Sequence, residues 1–114
     1  MKNKLSNLTT YDSFVFSMSE RRDYKISITV NSRAVTRVVI DPHYELKHGD
    51  SVDDEIILSL VQLLDGKTFT PEAESDGFQY FKTDPLSLNG VSYRLIWLLE
   101  KNEIYIGVIN AFRR

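Results

Sequence analysis

The chain's two histidines, His43 and His48, stand five residues apart in "DPHYELKHGD" (residues 41–50), with Glu45 and Lys47 between them. Histidine is the side chain whose ordinary pKa lies near neutrality, so it can both take and give a proton under physiological conditions. More groups of reactive type lie further along: Arg94, Tyr105 and Arg113, preceded by Tyr80 and Lys82. These residue types match the needs of metal-independent RNA cleavage. One group takes the proton of the attacking 2′-hydroxyl, another protonates the leaving oxygen, and cations hold the charge building on the phosphoryl oxygens. His43, His48 and Tyr105 are candidates for proton transfer, and Arg94 and Arg113 for holding phosphate. Lys47, Tyr80 and Lys82 are candidates for substrate binding.

Other chemistries fit less well. His43, Glu45 and His48 are metal-ligating types, but helical metal sites space two histidines four apart on one face. A gap of five does not, and Asp41-Pro42 argues against a helix there. No metal is expected. The chain holds no phosphate-binding glycine loop, dinucleotide fingerprint or nucleophile elbow, so no organic cofactor is expected either. The competing interpretation of "DPHYELKHGD" is a solvated elbow between two structural elements.

The elements that must position these groups are legible. "YKISITV" alternates apolar and polar residues, as a half-buried strand does. Asn31-Ser32 supplies a turn, and "AVTRVVI" is a second, β-branched strand closed by Asp41-Pro42. Ser51 is a candidate N-cap. Asp53, Asp54 and Glu55 follow in the first turn, where the helix dipole favours negative charge, and on a solvated face. Ile56, Ile57, Leu60, Val61, Leu63 and Leu64 then recur at helical spacing up to Gly66, predicting one amphipathic helix over about 52–65. "FQYFKT", "VSYRLIWLLE" and "EIYIGVINAFRR" are strands, joined by Asn89-Gly90 and by Lys101-Asn102. The expected fold is α+β: an antiparallel sheet of about five strands with one main helix on one face, in the order β-β-α-β-β-β. Residues 1–114 form one domain. About 1–10 are expected to be loosely ordered, with "SFVFSMS" a packed N-terminal arm.

A two-residue turn at Lys101-Asn102 makes Glu100 face Glu103. Tyr93, Leu95, Trp97, Leu99, Ile104, Ile106, Val108 and Phe112 then share an apolar face for the helix. Ser92, Arg94, Ile96, Leu98, Tyr105, Gly107, Ile109, Ala111 and Arg113 share the other. A bulge at Asp84-Pro85 is expected, because an unbroken register would put Lys82 and Asp84 on the helix side, where unpaired charges are disfavoured. With it, Tyr80 and Lys82 join Arg94 on the open face. Arg94 and Arg113 stand roughly 13 Å apart in this register, too far to hold one phosphate together. "IYIGVINAF" is long and apolar; at a sheet edge it would need covering, for instance by a second copy of the chain.

Composition narrows the class. Hydrophobic residues make up 42% of the 114 and charged residues 26%, the balance of a globular domain. The absence of cysteine excludes disulfides and thiolate chemistry. The net charge of −2 means that any nucleic-acid contact must use a local basic patch. "MKNKLSNLTT" does not resemble a signal peptide, and no apolar run approaches the span of a bilayer, so a cytoplasmic protein without membrane contact is expected.

Residues 93–114, "YRLIWLLEKNEIYIGVINAFRR", resemble the C-terminal part of the RelE/ParE-type toxins: a tyrosine-arginine strand, a hairpin, an apolar strand and a basic end. The resemblance implies a helix-packed antiparallel sheet and, in RelE-like members, metal-independent mRNA cleavage on the open face. It marks Arg94 and Arg113 as the carried-over positions. The chain opens with a hairpin where the family usually opens with helices, and it is acidic where many members are basic. The expected function is a RelE-like ribonuclease toxin of a toxin–antitoxin system, with RNA or the ribosome as target and a cognate antitoxin as partner. The alternative is a non-enzymatic binding protein, such as an immunity protein, antitoxin or adaptor, with a homodimer as a further possibility.

Overall fold

A computed structural model of the protein describes residues 21–114. The expectations for the N-terminal arm and for residues 1–10 lie outside the described residues. Strands β1 (Arg22–Val30) and β2 (Arg33–Ile40) form a hairpin. A 3-10 turn (Pro42–Tyr44) and two short helices follow, α1 (Glu45–His48) and α2 (Asp54–Gln62). Strands β3 (Ala73–Ser75), β4 (Phe78–Leu88), β5 (Val91–Glu100) and β6 (Tyr105–Arg113) complete the described chain.

The strands build one six-stranded sheet in the order β1-β2-β6-β5-β4-β3. This corrects the expected fold in three ways, the first being six strands where about five were expected. The sheet is mixed rather than antiparallel, because β2 and β6 pair in parallel, with Arg37 opposite Tyr105 and Ile40 opposite Val108. Among the described residues the helical part is two short helices rather than one main one. The parallel pairing requires the chain to leave β2 and return to its side only after the α2–β5 excursion, a long crossover that strand-by-strand alternation does not encode. It also places β6 inside the sheet. The terminal apolar strand is covered by β2 and β5, so it offers no edge for a second copy.

Turn chemistry sets the hairpins. Asn31 and Ser32 both adopt positive φ (52° and 60°), as do Asn89 and Gly90 (54° and 80°). This is the geometry that twists a two-residue loop with its strands. The β5–β6 connection is longer than expected. Leu99 faces Ile106, and Glu103 N–H returns to the Glu100 carbonyl at 3.1 Å, so 101–104 form the loop and Ile104 is exposed rather than in the core.

Helix α2 begins two residues later than expected. Val52 turns into the core, so Ser51 does not cap. The Asp53 carboxylate accepts from the Ile56 N–H at 2.8 Å instead. Ile57, Leu60, Val61 and Leu64 are then fully buried against Val30, Val38, Ile40, Leu95, Trp97, Leu99, Ile106 and Val108. Trp97 anchors this layer. Its ring stacks on Phe81 (centroids 4.1 Å apart), meets Phe69 edge-on, and its Nε1–H donates to Thr83 Oγ1 at 2.9 Å. Truncating a buried leucine such as Leu60 to alanine costs about 2–5 kcal/mol at a site of this kind. A smaller cluster of Val39, Tyr80, Leu98 and Ile109 forms on the opposite face.

Two register shifts decide which side chains share that opposite face. The first lies between Thr83 and Leu86, at Asp84-Pro85, where the charge pattern predicts a bulge. It sends Phe81 into the core opposite Trp97 and leaves Lys82 exposed opposite Ile96. The second is a bulge in β6: Trp97 faces Val108, but Ile96 faces Asn110. Beyond it the alternation inverts. Ala111 enters the core, Phe112 joins Arg94, and Arg113 pairs with Tyr93 on the helix side.

Candidate functional site

The second bulge assembles a cluster at one end of β5 and β6. Arg94 and Phe112 are cross-strand partners, and the Arg114 N–H donates to the Ser92 carbonyl at 2.8 Å, which carries the same face on to Arg114. The Arg94 guanidinium carbon lies 5.4 Å from the Phe112 ring centroid, within cation–π reach. His48 stacks on the same phenyl ring, with centroids 4.9 Å apart and planes 29° from parallel. Phe112 therefore brings the imidazole and the guanidinium together.

Asp84 completes the cluster. Arg94 Nε and NH2 both approach its Oδ2 at 2.7 Å, while Arg114 NH1 donates to its Oδ1. Partial burial of Asp84 favours the neutral acid, but the Arg114 and Arg94 donors outweigh it and hold the carboxyl below the usual range. One carboxylate thus serves two guanidiniums. The cations stay open to water, with 30% of the Arg94 side chain and 45% of the Arg114 side chain exposed, against 12% for Asp84.

The residues expected to form a site are therefore only partly united. His48 and Arg94 meet at Phe112, exposed Lys47 adjoins His48, and exposed Lys82 lies two positions from Arg94 along the same face. His43 is exposed on the 3-10 turn, where its N–H donates to Asp41 at 2.8 Å. Arg113 lies on the opposite side, because the β6 bulge reverses its parity. Tyr80 packs in the smaller apolar cluster opposite Leu98, four positions from Arg94. Tyr105 sits at the far end of β6, on the order of 20 Å from Phe112 along the strand. Its hydroxyl donates to Glu100 at 2.7 Å; burial and this bond push its pKa up, away from proton transfer near neutrality. Glu45 turns to Arg22 (2.9 Å) while His48 turns to Phe112, which splits the "HYELKH" group. Phe112, Asp84 and Arg114 escape the sequence reading. The "FRR" ending signals a basic terminus, but only the bulge shows which arginine faces Arg94.

A second carboxylate hub forms at the start of α2. Asp54 accepts from Arg22 Nε and NH2 (2.6 and 2.9 Å), from Tyr24 Oη (2.5 Å) and from Tyr44 Oη (2.9 Å). The first-turn acids are therefore not simply a solvated face: Asp53 caps, and Asp54 ties β1 and the 3-10 turn to α2. Burial of Asp54 favours its neutral form, yet these four donors lower its pKa. Tyr44, fully buried, is raised first by burial and then by its bond to the carboxylate. Every strong acceptor direction of Asp54 is occupied, which marks a structural joint.

No family model, curated protein or solved structure matches the chain.

Proposed function

We propose that the protein is a RelE-like, metal-independent ribonuclease toxin that handles RNA at the His48–Phe112–Arg94–Arg114 cluster. The observation that carries this reading is the placement of His48 and Arg94 on one phenyl ring, with Arg114 beside Arg94. Arg94 and Arg114 hold the phosphodiester. His48 takes the proton of the adjacent 2′-hydroxyl, whose oxygen attacks phosphorus. The bond to the 5′ oxygen breaks, that oxygen takes a proton from water, and the products are a 2′,3′-cyclic phosphate and a 5′-hydroxyl. Lys47 and Lys82 extend the positive surface along the RNA. A cognate antitoxin would cover this surface in the cell.

The experiment is direct. Purified protein is incubated with single-stranded RNA, with and without ribosomes, in the presence of EDTA, and the gene is expressed in a bacterial host. Cleavage that survives EDTA and falls at least 100-fold in His48→Ala and Arg94→Gln supports the proposal. Intact RNA together with unimpaired growth sinks it.

One observation favours a second reading, the non-enzymatic binding protein. Asp84 already neutralises part of the arginine charge, and the cluster holds a single histidine where acid–base cleavage profits from two groups. On this reading the same surface docks an anionic partner without chemistry. Binding of RNA or of an acidic protein without turnover is its signature.

A further inference from the structure

Arg94 and Arg114 are the two guanidiniums that an incoming phosphate would meet, and Asp84 lies between them with one oxygen on each. We infer that Asp84 selects the charge of the ligand, so that the site takes a singly charged phosphodiester in preference to a doubly charged phosphate monoester. This inference rests on the reading of the cluster as a phosphate site, but not on its being catalytic.

Charge counting leads there. Two guanidiniums and one carboxylate leave a local charge of +1. Coulombic attraction grows in proportion to ligand charge, whereas the cost of stripping water from an ion grows as the square of its charge. The second charge on a monoester therefore adds only as much attraction as the first but about three times its desolvation cost, so a low local charge favours the monoanion. An internal phosphodiester carries one charge, and with it the cluster becomes neutral: two cations, Asp84 and the ligand. Replacing Asp84 with a neutral residue would raise the local charge to +2 and favour the dianion.

Geometry supports the carboxylate as a fixed member of the site. Asp84 sits in the β4 bulge, is the least exposed of the three charges, and is approached from β5 and from the residue just after β6. Arg94 is braced on its other side by Phe112, so an anion entering from solvent meets the exposed flanks of the guanidiniums rather than displacing Asp84. The ligand charge then lies on the order of 5 Å from the carboxylate. At that distance, in screened surroundings, removing one negative charge strengthens a monoanion roughly threefold and a dianion roughly tenfold.

The test uses two ligands that cannot be cleaved: a 2′-O-methyl dinucleotide with one internal phosphodiester and no terminal phosphate, and 3′-uridine monophosphate. Both are titrated by NMR at pH 8, following the Arg94 Nε–H and the Arg114 amide. The wild-type protein is expected to bind the dinucleotide at least as tightly as the monophosphate. Asp84→Asn is expected to shift the ratio roughly threefold towards the monophosphate, and Asp84→Glu to keep the wild-type order. Trp97 fluorescence confirms that each variant is folded. Equal gains for both ligands in Asp84→Asn, or weaker binding of both, would overturn charge selection. No binding of either ligand by the wild type overturns the phosphate site and the ribonuclease reading with it. Selection without RNA cleavage overturns only the ribonuclease.

Discussion

Asp54 and Asp84 are each a single carboxylate gathering donors from distant parts of the chain, and they end in opposite conditions. Asp54 meets one guanidinium and two phenols. It shares that guanidinium, Arg22, with Glu45, and its oxygens are saturated by Arg22 and the two phenols, one of them from the buried Tyr44. Among the described residues Asp84 meets two guanidiniums and no neutral donor. The first hub is closed in hydrogen bonding and, with two carboxylates on one guanidinium, has no surplus positive charge. The second keeps a surplus positive charge, faces water, and has an imidazole stacked one ring away. A carboxylate's surroundings thus separate joint from site: the ratio of cations to carboxylates decides whether anything remains to offer a ligand.

The comparison can be broken in order of effect. Asp54→Ala should be the costliest change. It leaves Arg22 with Glu45 alone and the buried Tyr44 hydroxyl without its acceptor, so urea denaturation should show a loss of about 2–3 kcal/mol, discounted from a fully buried pair because Arg22 is partly exposed. A loss below 0.5 kcal/mol, on the order expected of an ordinary surface change, would mean that the hub is not a joint. Tyr44→Phe keeps the ring and removes only one donor, and should cost about 1 kcal/mol in the same measurement.

Acid should act through the same carboxylate. Asp54 is held below its ordinary value of 3.8, so the unfolded chain takes up the proton first. Its contribution is fully present above that value and is lost as the pH falls through the lower folded value. Thermal melts between pH 5 and pH 2, a window chosen to span that loss on both sides, should therefore fall less steeply in Asp54→Asn than in the wild type. Identical slopes would show that other carboxylates govern acid unfolding.

Asp84→Ala should have the smallest effect on stability, leaving the urea midpoint near the wild-type value because both arginines remain solvated. Its effect should appear in binding instead. Arg114→Gln completes the contrast: stability should hold, while the slope of log affinity for single-stranded RNA against log salt should fall by about 1. A midpoint drop in Asp84→Ala comparable to that of Asp54→Ala would erase the distinction between the two hubs.

Much of the local structure is legible in residues. Asn31-Ser32 and Asn89-Gly90 specify tight turns because they tolerate positive φ. The bulge at Asp84-Pro85 follows from the charges at 82 and 84, which cannot enter a core. The leucine and isoleucine spacing of 56–64 specifies a helix and the face it buries, although Val52 and Asp53 moved its start. Part of the candidate cluster was equally legible: His48 and Arg94, which meet at Phe112, stand out by type.

What the strands do to one another was not. Ile109, Asn110 and Ala111 read as continuous alternation, since nothing in an isoleucine or an alanine forbids either face. The bulge lies just past Val108, where the parallel pairing of β6 with β2 ends and only the pairing with β5 continues. That single extra residue replaced Arg113 with Arg114 beside Arg94 and moved Phe112 from the core to the site. Local steric and charge rules act over a few residues and are written in the sequence. Strand order, parallel pairing and the parity beyond a bulge are set by contacts between segments dozens of residues apart, and only the tertiary structure decides them.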